Sequence, residues 1–565
     1  MLELLCPAGS LANLKAAIQK GADAVYLGMK KFSARDYATN FNKEYLKQAV
    51  KLCKSNDVKL YLAMNTLVKN HELKEYFGQL SYAYSEGIDS VIIQDSSFID
   101  IIKKAYPDLN VHISTQAGVM NSAHANLFAK ADRITLAREL TKEEIARIRK
   151  NCKAELEIFC HGALCVSISG SCLFSSFIGG RSGNRGKCAQ PCRRRYNNKY
   201  LLSTKELCLI DKVPEIAKLN LNAIKIEGRM RTPYYVATVT EIYRKAIDSY
   251  YEGNFTITAD MRKKLDDAFS REFTQGWFED SKDIFNMSKA GGRCNINQIR
   301  EEYKVAVKDI KIDRQKKEVN LSQGRKNSTK KQLLVRVYNK NDALAAQDSG
   351  ADIIFCDLLN KNFMEIKGSL KCELYGVTPR IMLDNDLPKI KQAIEEKKPY
   401  GLLAGNPGIL SLNLDLPLYL DYSLNCFNDI SLSSYKDVPI ISPELSINEL
   451  KRFQNKEFAV LVHGRIRLMT LRHNLPAGVI RDEKAAPFIV NPIYNGTEVL
   501  NNKELGLLSK SSQLVSSGIN RFFIDTDKEV ATIVRLYRQI LDNKKVDDGK
   551  LKNRYVLGWA YREVV

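Results

Sequence analysis

No apolar run in the 565 residues approaches the roughly 18 that a membrane span needs, so no membrane partner is expected. The first residues, MLELLCPAGSLANLK, pass from a short apolar run straight into Pro and Gly. They lack the charged and apolar regions of a secretion signal, and the expected compartment is the cytoplasm. Neither a Ser-His-Asp pattern nor an HExxH motif is visible, which removes the usual sources of a hydrolytic nucleophile or a metal-bound water. Acidic residues are in deficit: 65 Asp and Glu face 86 Lys and Arg, a net charge of +21. That surplus suits a polyanionic partner such as nucleic acid, because neutralised phosphates release counterions. Apolar residues at 44% and charged residues at 27% exclude disorder, collagen and coiled coil as the main architecture.

Short apolar runs alternate with amphipathic stretches from the start, the βα rhythm of a parallel sheet. Eight strands are expected, at Leu2 to Cys6, Ala24 to Gly28, Lys59 to Met64, Ser90 to Gln94, Val111 to Thr115, Arg133 to Ala137, Leu156 to Cys160 and Ala223 to Glu227. Segments such as SLANLKAAIQKGAD and NKEYLKQAVKLCKSN supply the helices between them. Eight βα units imply a TIM-like (β/α)8 barrel in an α/β protein. One connection breaks the rhythm: a Gly, Ser, Arg and Cys-rich stretch over residues 161–203, at the end of the barrel where active sites are built.

The chain then repeats itself. ALAAQDSGADIIFCD echoes NLKAAIQKGADAVYLG, FAVLVHGRIRL echoes LEIFCHGALCV, NKELGLLSKSSQLVSSGINRFFID echoes TKELCLIDKVPEIAKLNLNAIKIE, and IVRLYRQIL echoes VTEIYRKAI, all in the same order. The expected division is a catalytic barrel with closing helices over 1–300, a polar linker with a short β segment over 301–332, a degenerate barrel-like repeat over 333–545 and a tail over 546–565. The second copy has RIRLMTLRHNLPAG where the first has its Cys-rich loop, and FIDTD where the first has KIEGR. It is expected to have lost the chemistry and to cover the first barrel as one half of an internal pseudo-dimer, the chain itself being a monomer.

The loop carries Cys165, Cys172, Cys188 and Cys192, spaced C-x6-C-x15-C-x3-C. Four thiolates in one loop call for a metal in a reducing compartment. Only the second pair has the tight spacing usual for structural zinc, whereas an iron-sulfur cluster tolerates looser spacing, so both centres stay open. The remaining cysteines, Cys294 among them, are isolated or strand-borne and are expected to be packed thiols.

At this loop the sequence resembles the collagenase-like peptidase family U-32. Glu157, Phe159, Gly162, Ala163, Leu164, Cys165, Gly170 and Cys172 match its signature, with Phe174 standing where an aliphatic residue is preferred. The continuation GGRSGNRGKCAQPCRRRY, KELCLID and KIEGRM is most similar to the branch that contains ribosomal RNA 5-hydroxycytidine synthases. The resemblance implies a 4Fe-4S cluster on the four cysteines and an electron donor. It further implies hydroxylation of a pyrimidine, to 5-hydroxycytidine or 5-hydroxyuridine in rRNA or tRNA, drawing on prephenate rather than molecular oxygen. Hydroxylation of a quinone precursor and a peptidase activity are its alternatives.

Strand carboxyl ends converge on one mouth, which places the other candidates. Asn65, Gln116 and Arg138 follow such ends, and Arg138, Arg181, Arg185 and Arg229 suit a dianion or an RNA phosphate. Lys225 and Glu227, two apart on the eighth strand, face one side and are expected to pair near the mouth. Arg229 follows Gly228 toward the ligand, and His161 is a candidate to donate a proton or orient substrate.

Overall fold

The computed structural model describes residues 1–269, 271–280, 283–285, 302–321, 330–546 and 554–565. Cys294 lies outside the described residues. The eight expected strands all form. They are β1 (Glu3–Ala8), β2 (Ala24–Gly28), β3 (Lys59–Met64), β4 (Ser90–Ile93), β5 (Asn110–Ile113), β6 (Arg133–Thr135), β7 (Glu155–Ala163) and, after a short β8 (Glu206–Cys208), β9 (Ala223–Ile226). Each pairs in parallel with the next, β9 pairs with both β7 and β1, and the barrel closes. Local chemistry sets the helices: Ser10 caps Leu11–Gln19, Asn42 caps Lys43–Ser55, and Thr232 followed by Pro233 opens the closing helix Pro233–Tyr251. The antiparallel β8 brings the chain back from the Cys-rich segment by pairing with the end of β7, and β10 (Phe273–Thr274) adds to it.

Of the linker, in which a short β segment is expected, residues 322–329 lie outside the described residues, and residues 302–321 contain no strand. They run as an extended strap across the back of the first barrel. The backbone N–H groups of Lys308 and Lys317 donate to the Ser55 and Ser81 hydroxyls, which donate back to the same residues' carbonyls, and Arg314 pairs with Asp108 at 2.8 Å.

The second half repeats the first. Its parallel strands are β11 (Gln332–Arg336), β12 (Ile353–Asp357), β13 (Glu373–Val377), β14 (Leu402–Ala404), β15 (Leu418–Leu420), β16 (Val438–Pro439) and β17 (Val460–Gly464). Then come β18 (Arg467–Leu471), β19 (Gly478–Arg481), β20 (Pro487–Ile493), β21 (Gly496–Asn501), β22 (Leu505–Gly506) and finally β23 (Arg521–Asp525), which lies between β11 and β17. Only the bridge between Ile440 and Ala459 joins β16 to β17. Strands β18 to β21 form a separate antiparallel sheet, inserted where the first half carries its cysteines.

The duplication reaches single atoms. Tyr243 Oη donates to Cys160 O at 2.8 Å and lies 3.5 Å from His161 Nδ1; Tyr537 Oη does the same with Val462 O and His463 Nδ1, at 2.8 and 3.5 Å. Gly162 and Gly464, at φ 102° and 136°, occupy equivalent positions where a Cβ would strike the backbone oxygen of Glu227 or Asp525.

The halves meet through equivalent elements in exchanged order, as subunits of an isologous dimer do. Asn121, capping the helix after β5, donates to Met382 O at 2.8 Å and Asn406 Oδ1 at 3.2 Å. Asn428, capping the helix after β15, donates to Val68 O at 3.0 Å and Asp95 Oδ2 at 2.9 Å. All four side chains are buried. Among the described residues no helix is long and apolar enough to cross a membrane.

Candidate active site at the barrel mouth

A cavity of about 70 Å³ lies inside the first barrel at the carboxyl ends of its strands. Asn65, Gln116, Arg138, Lys225, Glu227 and Arg229 line it, as do Tyr26, Arg35, Ser114 and Phe159. Asn65 is fixed at both ends, accepting from Ala34 N at 3.1 Å and donating to Ser114 Oγ at 3.0 Å. Lys225 and Glu227 share the interior face but do not pair with each other. Lys225 bonds Glu157 at 3.0 Å, one strand away, and lies 4.5 Å over the Tyr26 ring. Glu227 takes Arg35 at 3.3 Å. The reason is the barrel's geometry: a residue two places along a strand faces the same way, while the neighbouring strand and loop sit closer.

Arg229 donates to Ser33 Oγ at 2.5 Å, and Arg138 to Ser169 Oγ at 2.6 Å and Ala163 O at 3.2 Å, with its Nε unpartnered. Burial lowers the Arg229 guanidinium to about 10, which still leaves it charged at neutral pH. Burial raises the Glu227 carboxyl, but the charges of Arg35, Arg231 and Arg138 overrule it and hold the group below the usual carboxylate range. Four cations therefore border the cavity against one lining carboxylate, with Glu157 balancing Lys225. Such a lining accepts a small anion.

Three expected residues are elsewhere. His161 is buried on the outer side of β7 among Tyr235, Tyr243 and Phe273, where burial pushes it down to about 3, with the Arg231 charge adding to the effect. Arg185 binds Glu72 through both terminal nitrogens, at 2.6 and 2.8 Å, and donates to Leu67 O. Arg181 is exposed and touches Tyr37 Oη at 3.3 Å. Arg35 was not singled out from the sequence, although the rule that found Asn65 applies to it: it sits in the loop after β2.

The Cys-rich segment lies beside this mouth. Cys165, Cys172, Cys188 and Cys192 are free thiols, and each lies within electrostatic reach of the other three. Burial, reinforced by the neighbouring sulfurs, raises Cys172 and Cys188 and pushes Cys192 up to about 12. Gln190 N donates to Cys188 Sγ at 3.3 Å, an amide-to-sulfur bond of the kind that tunes thiolate-bound clusters. Among the described residues no group of three or more His, Cys, Asp or Glu is drawn close enough to hold a single metal ion. A tetrahedral zinc at about 2.3 Å from each sulfur would need them roughly 3.8 Å apart. A cubane takes its thiolates on four separate irons, so its ligands stand farther apart than those of a single zinc.

The inserted sheet of the second half holds the segment in place. Ile168 N donates to Thr470 O at 3.0 Å and Leu173 N to Leu468 O at 2.8 Å, both on β18, while Asn425 Nδ2 reaches Gly170 O at 2.8 Å. Ser182 N and Val565 O bond at 3.0 Å, so the tail covers the same segment, with Trp559 packed on Phe177. Trp277 lies on its other flank, sharing a small cavity with Cys165, Glu139 and His473. Glu139 is buried with both carboxylate oxygens unpartnered, and burial raises it to about 7. The antiparallel sheet was absent from the sequence expectations, though Asn495-Gly496 between two β-rich runs is a hairpin signal.

Residues 9–288 match the model of Peptidase family U32. The chain is 40% identical over 300 residues to an uncharacterized protease of Methanocaldococcus jannaschii, covering 49% of this chain and 73% of the relative. It is 33% identical over 298 residues to tRNA hydroxylation protein P1 of Bacillus subtilis, covering 49% and 71%. It is 31% identical over 303 residues to the 23S rRNA 5-hydroxycytidine C2501 synthase of Escherichia coli, covering 51% of this chain and 46% of that protein.

Proposed function

The chain belongs to peptidase family U32, and from that premise we propose that it is an iron-sulfur enzyme that hydroxylates a pyrimidine in folded RNA without molecular oxygen. The observation that carries the reading is a cation-lined cavity beside a segment whose four cysteines lie within electrostatic reach of one another, in a chain whose relatives include a tRNA hydroxylation protein and an rRNA hydroxycytidine synthase. Cys165, Cys172, Cys188 and Cys192 would hold a 4Fe-4S cluster. Bound there, it would supply one-electron chemistry, fed by an electron donor. Arg35, Arg138, Lys225 and Arg229 suit a small dicarboxylate co-substrate such as prephenate through charge-assisted hydrogen bonds. Glu227, held ionised by Arg35, is the carboxylate placed to take a proton at the mouth. The net charge of +21 supports an RNA partner. Working on RNA in the cell, the protein would be cytoplasmic.

The test is nucleoside mass spectrometry on rRNA and tRNA from a deletion strain, complemented with wild type or with Cys188→Ala. Loss of a hydroxypyrimidine on deletion, restored only by wild type, is expected. Survival of every pyrimidine modification in the deletion strain would overturn the reading.

A further inference from the structure

A chamber of about 710 Å³ straddles the pseudo-two-fold between the repeats, walled by the segments that follow β4 and β5 on one side and β14 and β15 on the other. Its volume is that of a small-molecule site, which typically runs to about 300–1,000 Å³. Gln116 borders both this chamber and the cation-lined cavity, and Gln94 Nε2 donates to Gln116 O at 3.4 Å, so the two spaces share a wall. Asn425, another lining residue, holds Gly170, two places before Cys172.

Two lining side chains are left with unmade hydrogen bonds. Gln94 is 6% exposed with its Oε1 unpartnered, and His124 is 1% exposed with its Nδ1 unpartnered. Such groups are costly to bury unless something meets them. The matching positions of the second repeat, after β14 and β15, hold Gly405 and Ser423 in place of Gln94 and Gln116. One repeat thus supplies polar handles and the other supplies room, with Leu410, Leu414 and Leu424 as apolar lining beside Phe128 of the first. At the rim Lys130 is neutralised by Asp100 at 2.8 Å. The two unmet handles are uncharged amide and imidazole, and the other charged lining residues, Asp95, Lys436 and Asp437, are of mixed sign, unlike the four cations next door.

We propose that this chamber receives the extruded pyrimidine base of the RNA substrate, Gln94 and His124 meeting its polar edge while the leucines and Phe128 cover its faces. Amide side chains pair with base edges, and enzymes that act on a base draw it out of its stack into an apolar slot. The anionic co-substrate and the neutral heterocycle then occupy adjoining spaces separated by Gln116. This rests on the RNA-hydroxylase reading above.

The experiment uses the full-length protein and an eight-nucleotide single-stranded RNA carrying one pyrrolocytosine, whose fluorescence rises when it leaves the stack. Wild type should bind with that rise. Leu414→Trp, which narrows the chamber on its apolar side, should reduce the rise and weaken binding about tenfold. Gln94→Leu, which removes a handle while keeping bulk, should weaken binding about fivefold, as loss of one hydrogen bond does. Wild-type binding without a rise, or a folded Leu414→Trp or Gln94→Leu protein with unchanged rise and affinity, overturns the chamber assignment. Complementation separates the two levels. If both variants restore the hydroxypyrimidine fully, the chamber is wrong and the activity stands; if wild type restores none, the activity itself is wrong.

Discussion

The two barrel mouths start from the same plan and end in opposite states. In the first, β9 delivers Lys225 and Glu227 into an open cavity whose cations outnumber its carboxylates. In the second, the matching strand β23 delivers Phe523 and Asp525, and the mouth is filled by its own ion pairs. Arg467 from β18 binds Asp525 and, at 3.0 Å, Glu498; Arg380 binds Asp421 at 2.6 Å; Arg336 lies 3.8 Å from Asp525. Three arginines meet three buried carboxylates there. A barrel that answers its own charges has nothing left to offer an anion, whereas one that leaves cations unanswered is paying stability for binding. The same insertion that plugs the second mouth, β18 to β21, braces the cysteine segment over the first.

The contrast is breakable at named side chains. Asp525→Asn strands Arg467 and Arg336 in a buried site, and denaturant titration should show a loss of about 3–5 kcal/mol. Glu227→Gln should cost less than Asp525→Asn, because its hydrogen-bonded partner Arg35 keeps a side chain 36% exposed, while the hydroxylated nucleoside all but disappears. Equal stability losses at the two positions would erase the distinction between a plug and a site. Next in size, Cys188→Ala should lower product by about 100-fold and iron content with it, and leave the melting temperature of iron-free protein within a few degrees.

A pH series sharpens the same point. Burial raises the Asp421 and Asp525 carboxyls, but the neighbouring guanidiniums overrule it, and both groups end below their ordinary value. A depressed carboxylate contributes stability above its unfolded pKa, about 3.9, and that stability fades as pH falls toward the folded value. Stability should therefore drop below about pH 4, and Asp421→Asn should flatten the drop; an unchanged acid limb in that variant would count against the plug. The smallest effect tests the shared frame. Tyr243→Phe and Tyr537→Phe should each cost about 1–2 kcal/mol, since each removes the same buried bond to a backbone oxygen, and the Tyr243 hydroxyl also accepts from Leu209 N. A loss of product specific to Tyr243→Phe would reopen a catalytic part for His161.

Much of the frame could be read in the sequence because apolar runs must become buried strands wherever they fall at βα spacing. All eight strands of the first barrel formed where expected, and the repeat over 333–545 carries a second parallel set. The site was partly legible for the same reason: position after a strand end places Asn65, Gln116, Arg138, Glu227 and Arg229 at the mouth. What spacing cannot tell is which partner a charged side chain chooses across strands and loops. Arg185 went to Glu72, Lys225 to Glu157, and His161 to Tyr243 on the closing helix. The last was foreshadowed by His463, kept in a repeat that lacks the Cys-rich loop.

The chain has only two tryptophans, and both border the cysteine segment, Trp277 beside Cys165 and Trp559 against Phe177 and Gly180. An inorganic chromophore seated between them would drain indole excitation by energy transfer. The ultraviolet glow of the protein would then report whether that segment is loaded, readable without any label.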